Sequence, residues 1–171
     1  MLRDATSKDW PYIYPFFAET VAAGETYTYP EDLSYQQARA LWMQPPPWRI
    51  VVAVEGEQVL GSAIVGPNRP GRGSHVATAS FLVAPAARGR GVGRALGEHV
   101  LELAPATGYR AMQFNAVVET NRAAVALWCS LGFSILATVP EAFDHPRHGL
   151  VGLHIMHRSL VPAGPPRQSG K

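Results

Sequence analysis

Phe81-Leu82-Val83-Ala84-Pro85-Ala86-Ala87-Arg88-Gly89-Arg90-Gly91-Val92-Gly93-Arg94-Ala95-Leu96 is the stretch on which the reading of the chain turns. An apolar run from Ser80 to Val83 meets Pro85, passes through alternating arginine and glycine, and continues with apolar residues at Val92, Leu96, Val100 and Leu103. That order predicts strand, tight loop, helix. Gly89, Gly91 and Gly93 can adopt positive φ and let a ligand approach the main chain, while the first N–H groups of the helix have no intrahelical partner. The helix dipole adds partial positive charge, and Arg88, Arg90 and Arg94 add full charges. Such a loop suits a phosphate or pyrophosphate.

Two familiar phosphate loops do not fit. A Walker A loop ends in Gly-Lys-Ser/Thr, whereas Gly93 is followed by Arg94-Ala95. A Rossmann fingerprint beginning at Gly89 needs its third glycine where Arg94 stands, and an acid roughly twenty residues on, where the chain has Tyr109-Arg110. The segment Arg88-Gly89-Arg90-Gly91-Val92-Gly93 instead resembles the Arg/Gln-x-x-Gly-x-Gly/Ala loop of the GNAT superfamily of N-acetyltransferases. A second stretch, Asn121-Arg122-Ala123-Ala124-Val125-Ala126-Leu127-Trp128-Cys129-Ser130-Leu131-Gly132-Phe133, resembles that superfamily's Asn-x-x-Ala-x-x-Leu-Tyr-x-x-x-Gly-Phe helix. The two motifs stand in the order the superfamily requires, and the resemblance covers roughly residues 1 to 160.

The resemblance implies an α/β (α+β) GNAT fold, with a mixed, mostly antiparallel sheet of about seven strands flanked by helices. It implies one acetyltransferase domain over 1–160, with acetyl-CoA as co-substrate and no metal. The cofactor contacts it implies are Phe81, Leu82 and Val83 on the strand before the loop; Arg88, Gly89, Arg90, Gly91, Val92, Gly93 and Arg94 in the loop; and Asn121, Ala124 and Trp128 on the following helix. Acetyl is then expected to pass by direct attack to an amine, with the Val83 backbone N–H as oxyanion donor. A catalytically silent acyl-CoA-binding domain and a protein N-acetyltransferase remain as alternatives.

Two departures from the family pattern matter. Many relatives carry a glutamate general base on the strand before the loop, but His75-Val76-Ala77-Thr78-Ala79-Ser80 holds no acid. A protonated amine cannot attack a thioester, so a proton acceptor must stand elsewhere. Glu25, Glu31, Glu119, His145 and His154 are the candidates, with His75 a surface or edge residue. The second departure is Trp128, where most relatives have a tyrosine thought to protonate the leaving thiolate. Indole N–H donates a hydrogen bond but is no acid near neutral pH, so catalysis is expected to rest on positioning and oxyanion stabilisation.

Composition agrees with one globular domain. The chain has 171 residues, 47% of them hydrophobic, enough to bury about 70% of its unfolded surface. No apolar run of transmembrane length and no signal-peptide pattern is visible, so a cytoplasmic protein is expected. The single cysteine, Cys129, excludes an internal disulfide. A net charge of +2 gives little support to a nucleic-acid partner. Charge distribution says more: from Gln58 to Gly97 there is no acid, yet Arg69, Arg72, Arg88, Arg90 and Arg94 fall there. A solvated basic face or a polyanionic ligand accounts for this bias. The histidines at 145, 148, 154 and 157 are too loosely spaced for a metal site.

Along the chain, Thr6-Ser7-Lys8-Asp9 reads as a capping box before a helix bearing Trp10, Ile13, Phe17 and Val21, which Pro15 should kink or delay and Gly24 ends. A second helix runs from Ser34 to Met43 and stops at Pro45-Pro46-Pro47. Trp48–Glu55 and Val59–Val65 form a hairpin, and His75–Val83 is the next strand. The helix from Val92 should close at Ala104, before Pro105 and Gly108. Tyr109–Val118 follows as a strand with Met112, Phe114 and Ala116 alternating against Gln113, Asn115 and Val117. Phe133–Val139 and Leu150–Leu160 are the last strands, joined by a loop over 140–149, and 161–171 is expected to be a disordered tail. In the family the first helix-loop-helix shapes the acceptor pocket, so Tyr27, Tyr29 and Glu25, with Thr78 on the neighbouring strand, are candidate acceptor contacts. Asn115 is a polar amide mid-strand, either a structural clamp or a substrate anchor. The run Phe114-Asn115-Ala116-Val117-Val118-Glu119-Thr120-Asn121 with Leu127-Trp128 is similar to acetyltransferases of proline analogues, which implies that Asn115 holds a substrate carboxylate. The expected partners are thus a small-molecule amine, no nucleic acid and no membrane; a homodimer is common in the family.

Overall fold

A computed structural model describes residues 1–161. The strands are β1 (Leu2–Asp4), β2 (Arg49–Glu55), β3 (Gln58–Pro67), β4 (Val76–Val83), β5 (Ala111–Val118), β6 (Ser134–His145) and β7 (Gly149–Ser159), and the helices α1 (Trp10–Ala23), α2 (Tyr35–Trp42), α3 (Val92–Ala106) and α4 (Arg122–Ser130). All seven strands form one sheet in the order β1-β2-β3-β4-β5-β7-β6. Every neighbouring pair is antiparallel except β4 and β5. This is the expected fold class. The tail beyond Val161 lies outside the described residues.

The sheet is buried on both faces at its centre, which is why β2 and β3 read as near-continuous apolar runs. Strand alternation sorts their residues: Val51, Ala53, Ala63 and Val65 pack with α3 and α4, while Val52, Val54 and Ile64 pack with α1 and α2. Leu96, Val100 and Ala104 bring α3 onto the first face, and Trp10, Ile13, Phe17 and Val21 bring α1 onto the second. Buried Ser62 is satisfied on the second face, accepting from Trp42 Nε1 at 3.0 Å and donating to the Val51 carbonyl at 3.0 Å. At Gly61 a Cβ would stand 2.7 Å from the Leu82 carbonyl oxygen and 3.0 Å from Val92 Cγ1, so only glycine lets α3 sit this close to β3.

Several boundaries differ from the sequence expectation. Asp9, not Thr6, is the N-cap of α1, and the box is half made: the Asp9 carboxylate accepts from the Thr6 N–H at 2.7 Å, without the reciprocal side-chain cap. The carboxylate is instead pulled onto Arg3 of β1. Pro15 neither delays nor ends α1, since packing of its apolar face outweighs one missing hydrogen bond. Pro105 likewise lies inside the last turn of α3, which continues to Ala106. The α2 prediction holds, with a complete capping box between Ser34 and Gln37.

The last hairpin departs most. β6 runs on through Pro140 and Glu141 to His145, where a loop was expected, because a register shift between Val139 and Phe143 absorbs the proline. β7 therefore starts at Gly149 after a short turn. Val151 and Leu153 join Val118 and Phe143 in a small separate cluster, while Met156 enters the main core. A matching shift in β5 between Phe114 and Val117 puts Val118 in the core and leaves Ala116 exposed. Period-two spacing cannot reveal a bulge.

Candidate active site

β4 and β5 pair only at Val76↔Ala111 and Ala77↔Met112, then separate. β4 remains paired with β3 up to Val83. The Val76 carbonyl accepts from Asn68 N–H and the Ala84 N–H donates to Leu60, both on the β3 side, whereas the His75 carbonyl accepts from Arg110 N–H. Even-numbered residues of β4 thus spend their main-chain groups on β3, and Ala79, Phe81 and Val83 turn theirs to the open side. Leu82, expected among the backbone contacts, has its main-chain groups committed to Ser62 and its side chain in the core.

Around this slot lies a cleft of about 720 Å³. Its walls are β4 from Thr78 to Val83, β5 from Phe114 to Val118, the start of α4 with Asn121, Ala123, Ala124 and Trp128, and the α1–α2 connection with Tyr27 and Tyr29. All four acceptor-side candidates, Tyr27, Tyr29, Thr78 and Asn115, line it. So do Phe81, Leu82, Val83, Arg88, Asn121, Ala124 and Trp128 from the cofactor set.

At one end stands the glycine loop. A 3-10 turn at Pro85–Ala87 follows β4; Gly89 and Gly91 have φ of 75° and 79°, and α3 begins at Val92 with Gly91 as N-cap. The first intrahelical bond is Ala95 N–H to the Gly91 carbonyl, so the N–H groups of Val92, Gly93 and Arg94 have no acceptor within the helix. Arg88 is the loop cation that lines the cleft. The other two arginines are turned elsewhere: Arg90 pairs with Glu55 at 2.9 Å, and Arg94 donates to Ser130 Oγ at 2.8 Å and stands 3.6 Å from Glu98. Two of the arginines in the acid-free window are thus met by acids just outside it, Arg90 by Glu55 across the fold and Arg94 by Glu98 one helical turn on.

Trp128 is buried in an aromatic cluster with Phe81 (4.6 Å), Phe114 (5.0 Å) and Phe133 (6.3 Å). Gly97 of α3 makes room for it, since a Cβ there would stand 3.1 Å from the indole. Its position is that of a cleft wall built on the core. Asn121 caps α4, its side chain accepting from Ala124 N–H at 3.3 Å, while also facing the cleft.

At the opposite end the groups are polar. Asn115 is exposed to the cleft, not buried in the sheet; its amide donates to Asn68 Oδ1 at 2.6 Å and its carbonyl accepts from Gln113 at 2.9 Å. Tyr27 and Tyr29 stack with ring centroids 5.3 Å apart and planes within 3°. Burial pushes both phenols above their ordinary pKa, the Tyr29 neighbour adding to the effect at Tyr27, so both stay neutral well past physiological pH. Glu25 lines the cleft and is paired at 2.7 Å with Arg147 from the β6–β7 turn. The remaining base candidates lie off the cleft: Glu119 accepts from Gly152 N–H, His154 meets Thr138 Oγ1, His145 accepts from Arg147 N–H, and Glu31 and His75 are exposed. Glu19 and Thr20 of α1 line the cleft and were missed. They sit one turn before Ala23, a polar stripe beside the apolar one, but helical spacing cannot separate a cleft face from bulk solvent. Asn68, the partner of Asn115, had no signal at all, being 47 residues away. Among the described residues no group of three or more metal-ligating side chains converges, and no helix is long and apolar enough to cross a membrane.

A sheet opened between two parallel strands, with a glycine-rich helix start at one end of the opening, defines a class of domain that takes an extended, phosphate-bearing ligand along a strand edge. The acetyltransferase (GNAT) family model matches residues 7–133, and the chain belongs to that family. It superposes on a GCN5-related N-acetyltransferase from Kribbella flavida with a TM-score of 0.90 at 60% identity, over 93% of this chain and 96% of that one. A ribosomal-protein-alanine N-acetyltransferase from Brucella melitensis follows at 0.83 and 26% identity, over 93% and 99% of the two chains. A phosphinothricin acetyltransferase from Sinorhizobium meliloti, solved in complex with acetyl-CoA, shares the fold with a TM-score of 0.82 at 24% identity, over 93% and 87% of the two chains. The N-acetyltransferase aca1 of Schizosaccharomyces pombe is 38% identical over 84 residues, which span 49% of this chain and 40% of that protein. Acetyl transfer is the activity named for these relatives.

Proposed function

We propose that the protein transfers the acetyl group of acetyl-CoA to the amine of a small molecule, an amino acid or proline analogue being the sharper form. The observation that carries this reading is the continuous cleft along the open edge of β4, with Arg88 and the α3 start at one end and Asn115, Thr78 and Tyr29 at the other. The α3 N–H groups and Arg88 suit the pyrophosphate, Asn121 suits the pantetheine arm, and Val83 N–H is the donor for the thioester carbonyl oxygen.

The chemistry asks for few protein groups. The amine lone pair forms the new C–N bond, the C–S bond breaks, and the amine proton leaves. A thiol has a pKa near 8.5, so sulfur departs as thiolate without a dedicated acid, in keeping with a tryptophan at position 128. Glu25 and Glu19 are the cleft carboxylates placed to take the amine proton, directly or through water. Asn115, fixed by Asn68 and Gln113, offers its amide to an acceptor carboxylate.

The test is thiol release from acetyl-CoA against a panel of amino acids, proline analogues and other small amines, with Asn115→Ala in parallel. Turnover on carboxylate-bearing amines, with acceptor KM raised roughly tenfold or more in the variant and acetyl-CoA KM little changed, is expected for a lost charge-assisted hydrogen bond. Acetyl-CoA binding without turnover on any amine overturns the reading in favour of a silent acyl-CoA-binding domain.

A further inference from the structure

The polar end of the cleft carries opposite charge on its two sides. Glu19 of α1 and Glu25 of the α1–α2 connection line one side. On the other, Asn115 of β5 is tied to the connection between β3 and β4, its amide donating to Asn68 Oδ1 at 2.6 Å across the start of β4. Asn68 is itself held, since its N–H donates to the Val76 carbonyl at 2.8 Å. The next residue, Arg69, folds back so that Nη1 donates to the Asn68 carbonyl at 3.1 Å. Neither Arg69 nor Arg72 has an acidic partner among the described residues, and the sequence from Gln58 to Gly97 holds no acid. Gln113 engages the Asn115 oxygen at 2.9 Å, so one amide hydrogen of Asn115 is left for a ligand.

We propose that the β3–β4 connection sets the acceptor class: Asn68 positions the Asn115 amide and Arg69 supplies positive charge behind it, so that the cleft selects an amine that also carries a carboxylate. This deepens the acetyl-transfer reading above and rests on it. A zwitterion fits the polarity of this end, with its amine toward Glu19 and Glu25, where a proton acceptor is needed, and its carboxylate toward Asn115. A diamine fits poorly, because its second cation meets the Asn115 N–H and the field of Arg69. Asn68 holds one amide hydrogen of Asn115 and thereby orients the other. Arg69 acts through space, so its effect fades with salt over a screening length of roughly 10 Å at 0.1 M ionic strength. An Asn68 present only to tie the connection to β5 would affect acceptors with and without a carboxylate alike.

Thiol release from acetyl-CoA tests this on the full chain, with each carboxylate-bearing amine of the panel paired with its own amide, proline with prolinamide among them, and putrescine as a dication. The ratio of kcat/KM for acid over amide, compared between variant and wild type, cancels the intrinsic reactivity of each amine. The wild type is expected to favour the acid by roughly tenfold or more. Asn68→Ala should cut that ratio by about fivefold, the scale of one loosened hydrogen bond, and should do so through acceptor KM more than through kcat. Asn68→Asp can still accept from Asn115 but sets a negative charge beside the incoming carboxylate, so the ratio should fall by roughly tenfold or more. Arg69→Gln should lower it about threefold in dilute buffer, an effect that high salt removes. Ratios that stay unmoved in the folded variants, or a wild type that prefers amides or putrescine, overturn this inference and leave acetyl transfer standing. No turnover on any amine overturns the acetyl-transfer reading beneath it.

Discussion

Asp9 shows how one side chain ties two elements together. Its carboxylate accepts from Arg3 at 2.7 and 2.9 Å and from Thr6 N–H at 2.7 Å, joining β1 to the start of α1. The Arg3 hydrogen bonds hold its pKa down at about 2 against the opposing effect of burial, with Thr6 adding to the depression. A carboxyl depressed in the folded state stabilises above its unfolded pKa near 3.8, and that stabilisation is lost as pH falls toward 2. Asp9→Asn should therefore lower unfolding free energy at pH 7 by at most about 2 kcal/mol, since Arg3 is partly screened by solvent. Urea unfolding at pH 7 and near pH 2.5 checks this: the gap between variant and wild type should narrow by more than half at the lower pH, because the folded-state carboxyl is then only beginning to take up its proton.

At the scale of elements, the site depends on how β4 hands over to α3. The αL conformation of Gly91 lets the chain turn sharply enough that α3 starts with its free N–H groups at the end of the slot. A Cβ at Gly91 meets nothing within 4 Å, so the cost of substitution is backbone strain, about 1–3 kcal/mol, and not a clash. Gly91→Val should thus leave the fold in place, read as an unchanged far-ultraviolet spectrum and a Tm lowered by several degrees, while CoA affinity falls by tenfold or more as the donors lose their alignment. Retained affinity would mean that the phosphates bind elsewhere. The turn, the arginines and the helix start were legible because glycine spacing and apolar periodicity are local properties. The bulges in β5 and β6 were not, since an extra residue in a strand answers to its partner's register.

Across the whole molecule, the cleft is closed by segments far apart in sequence. Glu25, in the α1–α2 connection, meets Arg147 of the β6–β7 turn at 2.7 Å, and Asn68, after β3, meets Asn115 of β5. The Glu25–Arg147 pair is solvent-exposed on the arginine side and belongs to a class worth about 0–1 kcal/mol. Arg147→Ala should accordingly change stability by no more than about 1 kcal/mol by urea titration. A loss well beyond that would show that the hairpin turn, and not the sheet, holds this polar end of the cleft together.

The sequence by itself determined the class of fold, the glycine-rich turn at Arg88–Gly93 that starts α3, the cap at Asn121 and the family to which the two motifs belong, because each is written in residues adjacent along the chain. Tertiary structure decided which of the loop arginines faces the cleft, which carboxylates line it, and which main-chain groups of β4 remain open. Arg90 and Arg94 are drawn to Glu55 and Ser130, Glu19 joins the cleft from a helix face that spacing left undefined, and Tyr27 caps Phe81 across 54 residues. Those are pairings between distant segments, set by the strand register and by how the helices pack on the sheet, and no local pattern encodes them.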